Sequence, residues 1–358
     1  MNTTAERWHA AFILRLLLDG PDVSGAMANL DWTLLLEIAR TNGVLVRTGQ
    51  GLAALGARLP VAFADAVRRE QERVRATLEL ARRVGDACEA RGIAFVFPKM
   101  LQDYPDGGDD LDVLVLPRSP HVDRGILAGL RTAPHRRDMG ARLAGSVAYT
   151  VAGCPSPLDV QHGRLGLVGE YTSLPLLLMG DRRRVVVEGL EFFEPSRENQ
   201  LVLQGVQRVA GRRRIALCDL VFTIRTIRRA ELAWGDVVAT ARRHGALPGL
   251  SCYLRYADQI HRDVFGSDLV PATARRALSL VGWGRAEFRQ GGYRFPIVRV
   301  NGRLCLQQLG ARIGHGDWAA AGRLCLVPVV GVARAVGRLA WPGSSPRRSP
   351  PAFVELRP

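Results

Sequence analysis

The sequence predicts an α+β protein in which a small sheet is flanked by helical regions before and after it in the chain. Runs of residues typical of strands are confined to a middle stretch, whereas the segments on either side repeat their apolar residues at helical spacing. We expect these regions in order: a helical region over 1–92, an α/β core over 93–195, a second helical region over 196–340, and a disordered Pro/Ser/Arg-rich tail over 341–358.

Three helices are predicted before the core. Thr3 or Thr4 can cap a first helix over 3–18, because a hydroxyl can accept a hydrogen bond from the free N–H groups of the first turn. A second helix is predicted over 31–41, and a third, long and charged, over 61–90. The third helix leads directly into the first strand of the core.

A glycine-rich segment lies between the second and third of these helices. It matches a dinucleotide-binding fingerprint at Gly49, Gly51 and Ala54. That fingerprint needs a strand before it and a second parallel strand soon after it, but a long helix follows here. A loop or a connection between helices is therefore the favoured interpretation.

The remaining elements are predicted from the same patterns. Strands are expected over 93–97, 111–116, 146–151, 158–161 and 184–193, with one helix over 119–132. Helices are expected over 196–209, 214–230, 236–244, 249–265, 272–281, 303–312 and 317–339. The Gly- and aromatic-containing stretch 282–301 receives no assignment.

Two aspartates stand at the head of the second predicted strand. Alternate residues of a strand share a face, so Asp110 and Asp112 should project on the same side about 6.5 Å apart. Residues 113–116 are continuously apolar, as in a strand that is covered on both faces. Two carboxylates in that place need a neutralising charge, for which a divalent cation is the usual choice. The alternative is that Asp-x-Asp caps a turn after the preceding glycines.

The chain contains one lysine, Lys99, among its 49 Lys and Arg residues. A compact ammonium differs from a planar guanidinium, and at a strand end close to a helix start it suits a phosphate. The alternative to a phosphate-binding role is that an arginine-rich chain contains a single lysine by chance.

A third carboxylate, Asp159, falls in the short strand predicted over 158–161. It could point to the same face as the first two and complete a site that holds two metal ions against triphosphate oxygens. In such a site a hydroxyl attacks the α-phosphorus in line and pyrophosphate leaves. His162 could contact the substrate, although a hydrogen-bonded structural histidine is the alternative.

These residues resemble the uncharacterised bacterial nucleotidyltransferase family of the polymerase-β-like superfamily. Members of that family have an apolar strand that ends in Leu-Lys-Gly, then an Asp-hydrophobic-Asp strand, and later a strand with an acidic residue near a histidine. The sequence Leu-Cys-Asp-Leu at 217–220 is similar to a Leu-x-Asp-Leu element of their downstream helices. The resemblance spans about 61–228.

The resemblance implies a small mixed-sheet nucleotidyltransferase core with helical flanks, Mg²⁺ or Mn²⁺, and an NTP co-substrate. The implied reaction transfers an NMP to a hydroxyl of a peptide, protein or small-molecule acceptor in a biosynthetic pathway. Asp110, Asp112 and Asp159 would then be the catalytic and metal-binding residues. The cofactor-binding residues would be Lys99, Met100 and His162.

Two positions depart from the family pattern. Met100 stands where the family has glycine, and a methionine would hold the phosphates further from the backbone. Gln161 stands where the family tends to have histidine, and His162 comes one place later. These departures favour an alternative, in which a catalytically decayed nucleotidyltransferase fold serves as a nucleotide-, peptide- or RNA-binding partner.

The composition is that of a globular protein, with 47% hydrophobic and 23% charged residues in 358. The net charge of +15 would suit a polyanionic partner, but the arginines are spread along the chain rather than gathered with aromatic residues. A nucleic acid is therefore an alternative partner that the sequence does not favour.

The sequence shows no feature of a secreted or membrane protein. Its first ten residues lack the order of a signal peptide, and no uncharged apolar run approaches 18 residues. The cysteines form no C-x-x-C pair and are expected to be reduced core residues; they are Cys88, Cys154, Cys218, Cys252, Cys305 and Cys325. We expect a soluble, cytoplasmic protein with no membrane partner.

Overall fold

The computed structural model describes residues 3–116, 120–134, 139–209, 214–229, 232–280 and 283–327. Helices are combined with a mixed sheet that contains both parallel and antiparallel strand pairs, which confirms the predicted α+β class.

The elements are as follows in chain order. The helices are α1 (Thr3–Leu18), a 3₁₀ helix (Gly20–Asn29), α2 (Trp32–Thr41), α3 (Leu45–Ala54), α4 (Val61–Glu89), α5 (Pro120–Leu127), α6 (Met139–Ala144), α7 (Leu174–Gly180), α8 (Arg197–Arg208), α9 (Leu217–Arg229), α10 (Trp234–Arg243), α11 (Leu247–Phe265), α12 (Ala272–Leu278), α13 (Ile297–Gly314) and α14 (Trp318–Cys325). The strands are β1 (Ala94–Val96), β2 (Leu111–Leu116), β3 (Thr132–Pro134), β4 (Ser146–Val151), β5 (Leu158–His162), β6 (Arg182–Val187), β7 (Leu190–Pro195), β8 (Arg214–Ile215), β9 (Glu287–Arg289) and β10 (Gly292–Arg294).

The chain forms two units that are built from interleaved segments. The first unit contains the residues up to Val74, the segment Lys99–Gly108 and the segment Arg197–Leu304. The second contains Arg75–Pro98, Asp109–Ser196 and the described residues from Cys305 onward. The consecutive regions expected from the sequence therefore interleave in the fold, because the N-terminal helices as far as the middle of α4 and most of the C-terminal helices belong to one unit.

The N-terminal helices begin and end close to where the sequence places them. The second helix starts after Asp31, whose carboxylate accepts hydrogen bonds from the backbone N–H groups of Thr33 at 3.0 Å and Leu34 at 3.1 Å. Satisfying these N–H groups stabilises the first turn of α2. The predicted helix over 31–41 is confirmed, as are those over 3–18 and 61–90 within a residue at their ends.

The glycine-rich segment forms helix α3. A Cβ atom added to Gly49 would lie 2.8 Å from Cγ2 of Val67, and one added to Gly51 would lie 3.1 Å from Cγ of Leu16. The two glycines therefore allow α3 to pack closely against α1 and α4. The expectation of a loop was wrong, and the segment lacks the preceding strand that a dinucleotide site needs.

Three other expectations change in the structure. The helix predicted over 119–132 ends earlier, as α5, and is followed by strand β3. The unassigned stretch 282–301 contains the hairpin of β9 and β10 and the start of α13. Of the helix predicted over 317–339, the structure describes α14; residues 328–339 and the predicted tail over 341–358 lie outside the described residues.

The second unit contains a five-stranded sheet with the order β1-β2-β5-β4-β3. Strands β2 and β5 are parallel, and the other neighbouring pairs are antiparallel. Four apolar side chains of β2, at positions 111, 113, 114 and 115, are completely buried, as its continuous apolar run predicts. The β-structure predicted over 184–193 is the separate hairpin of β6 and β7.

All six cysteines are free thiols. Cys88, Cys218 and Cys252 are buried, as expected of core residues, and burial raises the pKa of Cys88 and of Cys252 to about 12. Cys325 is exposed, so it does not fit that expectation. Among the described helices, none combines the length and the apolar character that crossing a membrane requires.

A buried carboxylate holds the loop that follows β5. Glu170 is 1% exposed, and its Oε2 accepts a hydrogen bond from the backbone N–H of Val168 at 3.0 Å. The carboxylate occupies the space where a Cβ of Gly166 would lie, and Gly166 has a φ of +102° that favours glycine. Burial raises the pKa of Glu170, and Arg312 opposes this rise.

The substitution Glu170→Gln is expected to flatten the dependence of stability on pH. A carboxyl whose pKa is raised by folding binds its proton more tightly in the folded state, so the free energy of unfolding falls as the pH rises above about 4.5. Glutamine keeps an acceptor for the Val168 N–H and carries no charge. Chemical denaturation of the wild type and the variant at several pH values measures their free energies of unfolding. Relative to the wild type, the variant should become more stable as the pH rises toward neutral. A constant difference would contradict this expectation.

Candidate metal centre

Three aspartates converge at one end of the sheet in the second unit. Asp110 immediately precedes β2, Asp112 lies within it, and Asp159 lies in β5 directly opposite Asp112 in the parallel register. Residues opposite each other in adjacent strands project to the same side of a sheet. One carboxylate oxygen of each aspartate lies within 4.8 Å of the others. The convergence that the sequence predicted is therefore confirmed.

The three carboxylates differ in their access to solvent. Asp110 is exposed, Asp159 is half-buried, and Asp112 is 5% exposed. Like charges that lie this close together, with one of them buried, cost free energy unless hydrogen bonds or a cation compensate them. The cluster thus has a solvent-facing side at Asp110 and an inner side at Asp112.

Two neutral side chains hold the inner carboxylates. Gln161 donates a hydrogen bond from Nε2 to Oδ1 of Asp112 at 2.6 Å, and Ser146 donates from Oγ to Oδ1 of Asp159 at 2.5 Å. Ser146 and Gln161 are opposite each other in β4 and β5, on the face that carries Asp159. These contacts fix the orientation of both carboxylates. Neither role was predicted from the sequence, although the two-residue spacing of Asp159 and Gln161 indicates a shared face.

The structure does not bring His162 to the three aspartates. His162 is three residues from Asp159 in the same strand, so the two side chains point to opposite faces. Its Nε2 lies 2.8 Å from Oδ1 of Asp123 in α5, and Asp123 also accepts a hydrogen bond from the Tyr149 hydroxyl at 3.0 Å. His162 therefore has the structural role that the sequence left as the alternative.

Lys99 and Met100 lie in the turns that follow β1, and both are half-buried. They belong to the first unit, whereas the three aspartates belong to the second. Within the first unit, burial raises the pKa of Asp103, and the positive charges of Arg47 and Lys99 are among those that oppose this rise. Arg47 makes the larger opposing contribution of the two. The role of Lys99 as a phosphate ligand, with Met100 beside it, stays a prediction.

The Leu-Cys-Asp-Leu element begins helix α9 in the first unit. Its Asp219 is buried, forms an ion pair with Nε of Arg208 at 2.7 Å and accepts a hydrogen bond from the backbone N–H of Ala216 at 3.1 Å. These contacts anchor the start of the helix, so the element has a structural role.

The donor set of the cluster fits a hard divalent cation. All three candidate ligands are carboxylates, and carboxylate oxygens are the ligands that Mg²⁺ and Mn²⁺ prefer over thiolate or imidazole. The buried position of Asp112 also favours a cation, because a buried carboxylate with two other carboxylates within 4.8 Å costs free energy. Asp110, Asp112 and Asp159 are therefore the residues that could hold the metal.

The fold and the cluster together define an α+β protein in which three aspartates converge at two parallel strands of the mixed sheet. Comparisons with family models, with curated proteins and with solved structures gave no match in any of the three cases.

Proposed function

We propose that this protein is a metal-dependent nucleotidyltransferase that moves an NMP from an NTP to a hydroxyl of a peptide, protein or small-molecule acceptor. The observation that carries the proposal is the convergence of Asp110, Asp112 and Asp159 at two adjacent parallel strands, with one carboxylate oxygen of each within 4.8 Å of the others. The resemblance of the sequence around β1 and β2 to a nucleotidyltransferase family supports the same reaction class.

The three aspartates would hold Mg²⁺, and the bound ion would neutralise triphosphate charge and align the α-phosphate. Asp159 would also accept the proton of the acceptor hydroxyl, whose oxygen forms a bond to the α-phosphorus while the bond to pyrophosphate breaks. Ser146 and Gln161 would keep Asp159 and Asp112 in place. Positioning of this kind supplies most of the rate enhancement in phosphoryl and nucleotidyl transfer.

The proposal is tested by incubating the full chain with Mg²⁺, each α-labelled NTP and fractionated extract, and by measuring labelled acceptor together with released pyrophosphate. We expect label to be transferred from at least one NTP, with pyrophosphate formed in equal amount. Chelation of the metal should stop both. Absence of transfer and of pyrophosphate release with every NTP and fraction would refute the assignment as an active enzyme.

Calorimetry, combined with the turnover measurement, separates the decayed alternative, which Met100 favours. A decayed protein would bind an NTP or RNA in calorimetry without turnover, and its binding would be insensitive to loss of Asp112. Nucleic-acid binding through the basic surface would instead weaken steeply as salt is added. Metal-dependent turnover would exclude the decayed alternative.

Replacement of Gln161 by leucine is expected to weaken Mn²⁺ binding by about 10- to 100-fold, because loss of a residue that orients a ligand has effects of that size. The Gln161 amide contacts Asp112 at 2.6 Å, and leucine cannot donate that hydrogen bond. Calorimetry with Mn²⁺ measures the change. Gln307→Leu, at an exposed glutamine of α13, is the matched control and should bind Mn²⁺ as the wild type does. Equal affinity in both variants would remove Gln161 from the site.

A further inference from the structure

A second candidate binding site lies within the first unit. A cavity of about 530 Å³ is bordered by α1, α2 and the turn of the β9–β10 hairpin. Its volume is in the range of pockets that take small molecules. The residues that line it include Glu6 from α1, Glu37 from α2 and Arg289 at the end of β9.

The two glutamates give this cavity an acidic character in a chain whose net charge is +15. Glu6 is 2% exposed, and its Oε2 accepts one long hydrogen bond, at 3.4 Å, from the backbone N–H of Gly291. Within the part of the chain that the structure describes, its Oε1 has no hydrogen-bond or ion-pair partner, and neither has the Glu37 carboxylate. A nearly buried carboxylate with so little compensation is costly unless a cation meets it.

The arginine that lines this cavity is paired with an acid outside the lining. Arg289 forms an ion pair with Glu287, two residues before it in β9. The side chains of Leu34 and Ile38 complete the wall with apolar surface. A ligand that fits this lining has a positive head group and a short aliphatic chain.

The wall that faces Glu6 is held in place by its own contacts. Gln290 and Gly291 connect β9 to β10 with φ angles of +49° and +72°, as in a two-residue hairpin turn with two left-handed residues. The Gly291 carbonyl accepts a hydrogen bond from the Asn42 amide at 2.9 Å, so the turn is fixed to the end of α2. The cavity is therefore preformed.

We infer that this cavity binds an aliphatic primary amine or guanidine in its cationic form, with the head group between Glu6 and Glu37 and the chain against Leu34 and Ile38. None of the proposed metal ligands lines this cavity, so binding here can be tested separately from the transferase activity. The site would let the protein recognise a cationic metabolite or a basic side chain of a peptide.

Calorimetry of the full chain with n-butylammonium and butylguanidinium chloride tests this inference, with n-butanol and sodium butyrate as probes of the same chain length and sodium chloride to match ionic strength. We expect the two cations to bind and the neutral and anionic probes not to bind. Glu37→Gln should weaken cation binding about tenfold or more, the size expected for loss of one charge-assisted hydrogen bond. Glu6→Gln should have a similar effect and keeps an acceptor for Gly291.

Glu37 is exposed, so its substitution is expected to leave folding intact even if the change at Glu6 does not. Glu70→Gln, at a glutamate of α4 that pairs with Arg73, is the control for loss of a carboxylate elsewhere in the unit and should bind the cations as the wild type does. Binding that is equal in the wild type and Glu37→Gln, butanol binding as tight as butylammonium binding, or no cation binding at all would each overturn the inference.

Discussion

Asp112→Asn is expected to reduce nucleotidyl transfer by at least about 100-fold and to abolish tight Mn²⁺ binding. Asparagine has nearly the same shape, and its carbonyl oxygen can still accept the hydrogen bond from Gln161, so the sheet should fold normally. The substitution removes the charge of the most buried of the three carboxylates. Pyrophosphate release measures the activity, and calorimetry measures metal affinity.

The matched control is Asp86→Asn, which removes an exposed carboxylate of α4 that pairs with Arg82. This control should retain wild-type metal affinity and activity, because exposed pairs of this kind contribute little to stability. Wild-type transfer by Asp112→Asn would mean that the three aspartates are not the metal site. Thermal unfolding of Asp112→Asn and of the wild type shows whether the variant is folded. Only a loss of activity without a loss of stability counts as a direct effect on the site.

Gly205→Ala is expected to destabilise the first unit by about 3 kcal/mol or more. The added methyl group would meet backbone atoms, which cannot shift as the end of a flexible side chain can. Helices α8 and α11 cross with their backbones in contact at this point. A Cβ at Gly205 would overlap the backbone of Leu250, and a Cβ at Gly249 would lie 2.5 Å from the Gly205 carbonyl oxygen. Denaturant unfolding measures the effect.

Gly310→Ala provides the comparison for this prediction. Gly310 lies inside helix α13, and a Cβ there would meet open space. Alanine should therefore be neutral or stabilise the protein by about 0.5–1 kcal/mol, since glycine weakens helix interiors. If the two substitutions had the same effect, the close crossing of α8 and α11 would not be a determinant of stability.

The sequence predicted the elements well where a single pattern dominates. The helix over 31–41 has both a cap and a regular apolar stripe, and strand β2 has a continuous apolar run. Helix α3 was missed because glycine residues locally predict a turn. The helices against which its glycines pack, α1 and α4, are separate segments of the chain, so a local pattern does not reveal this packing.

The candidate site was predictable only in part. The spacing of Asp110 and Asp112 fixes their shared face, but the pairing of β2 with β5 is a long-range property that the sequence does not encode locally, and a shift of one residue would reverse the face of Asp159. The position of His162 could have been derived, since an odd spacing from Asp159 within a strand places it on the other face. The cavity beside Glu6 could not have been derived from the sequence, because Glu6 and Gly291 come together only in the folded unit.

The parallel pairing of β2 and β5 has a consequence for how the protein acquires its acidic cluster. Asp112 and Asp159 are 47 positions apart, and a parallel pair cannot be joined by a tight turn, so the chain must complete a long crossover before the third carboxylate arrives. During synthesis, a nascent chain that stops short of residue 158 carries two of the three carboxylates without the strand that supplies the last. Metal affinity of the proposed site would therefore report completion of the five-stranded sheet and not of any local hairpin.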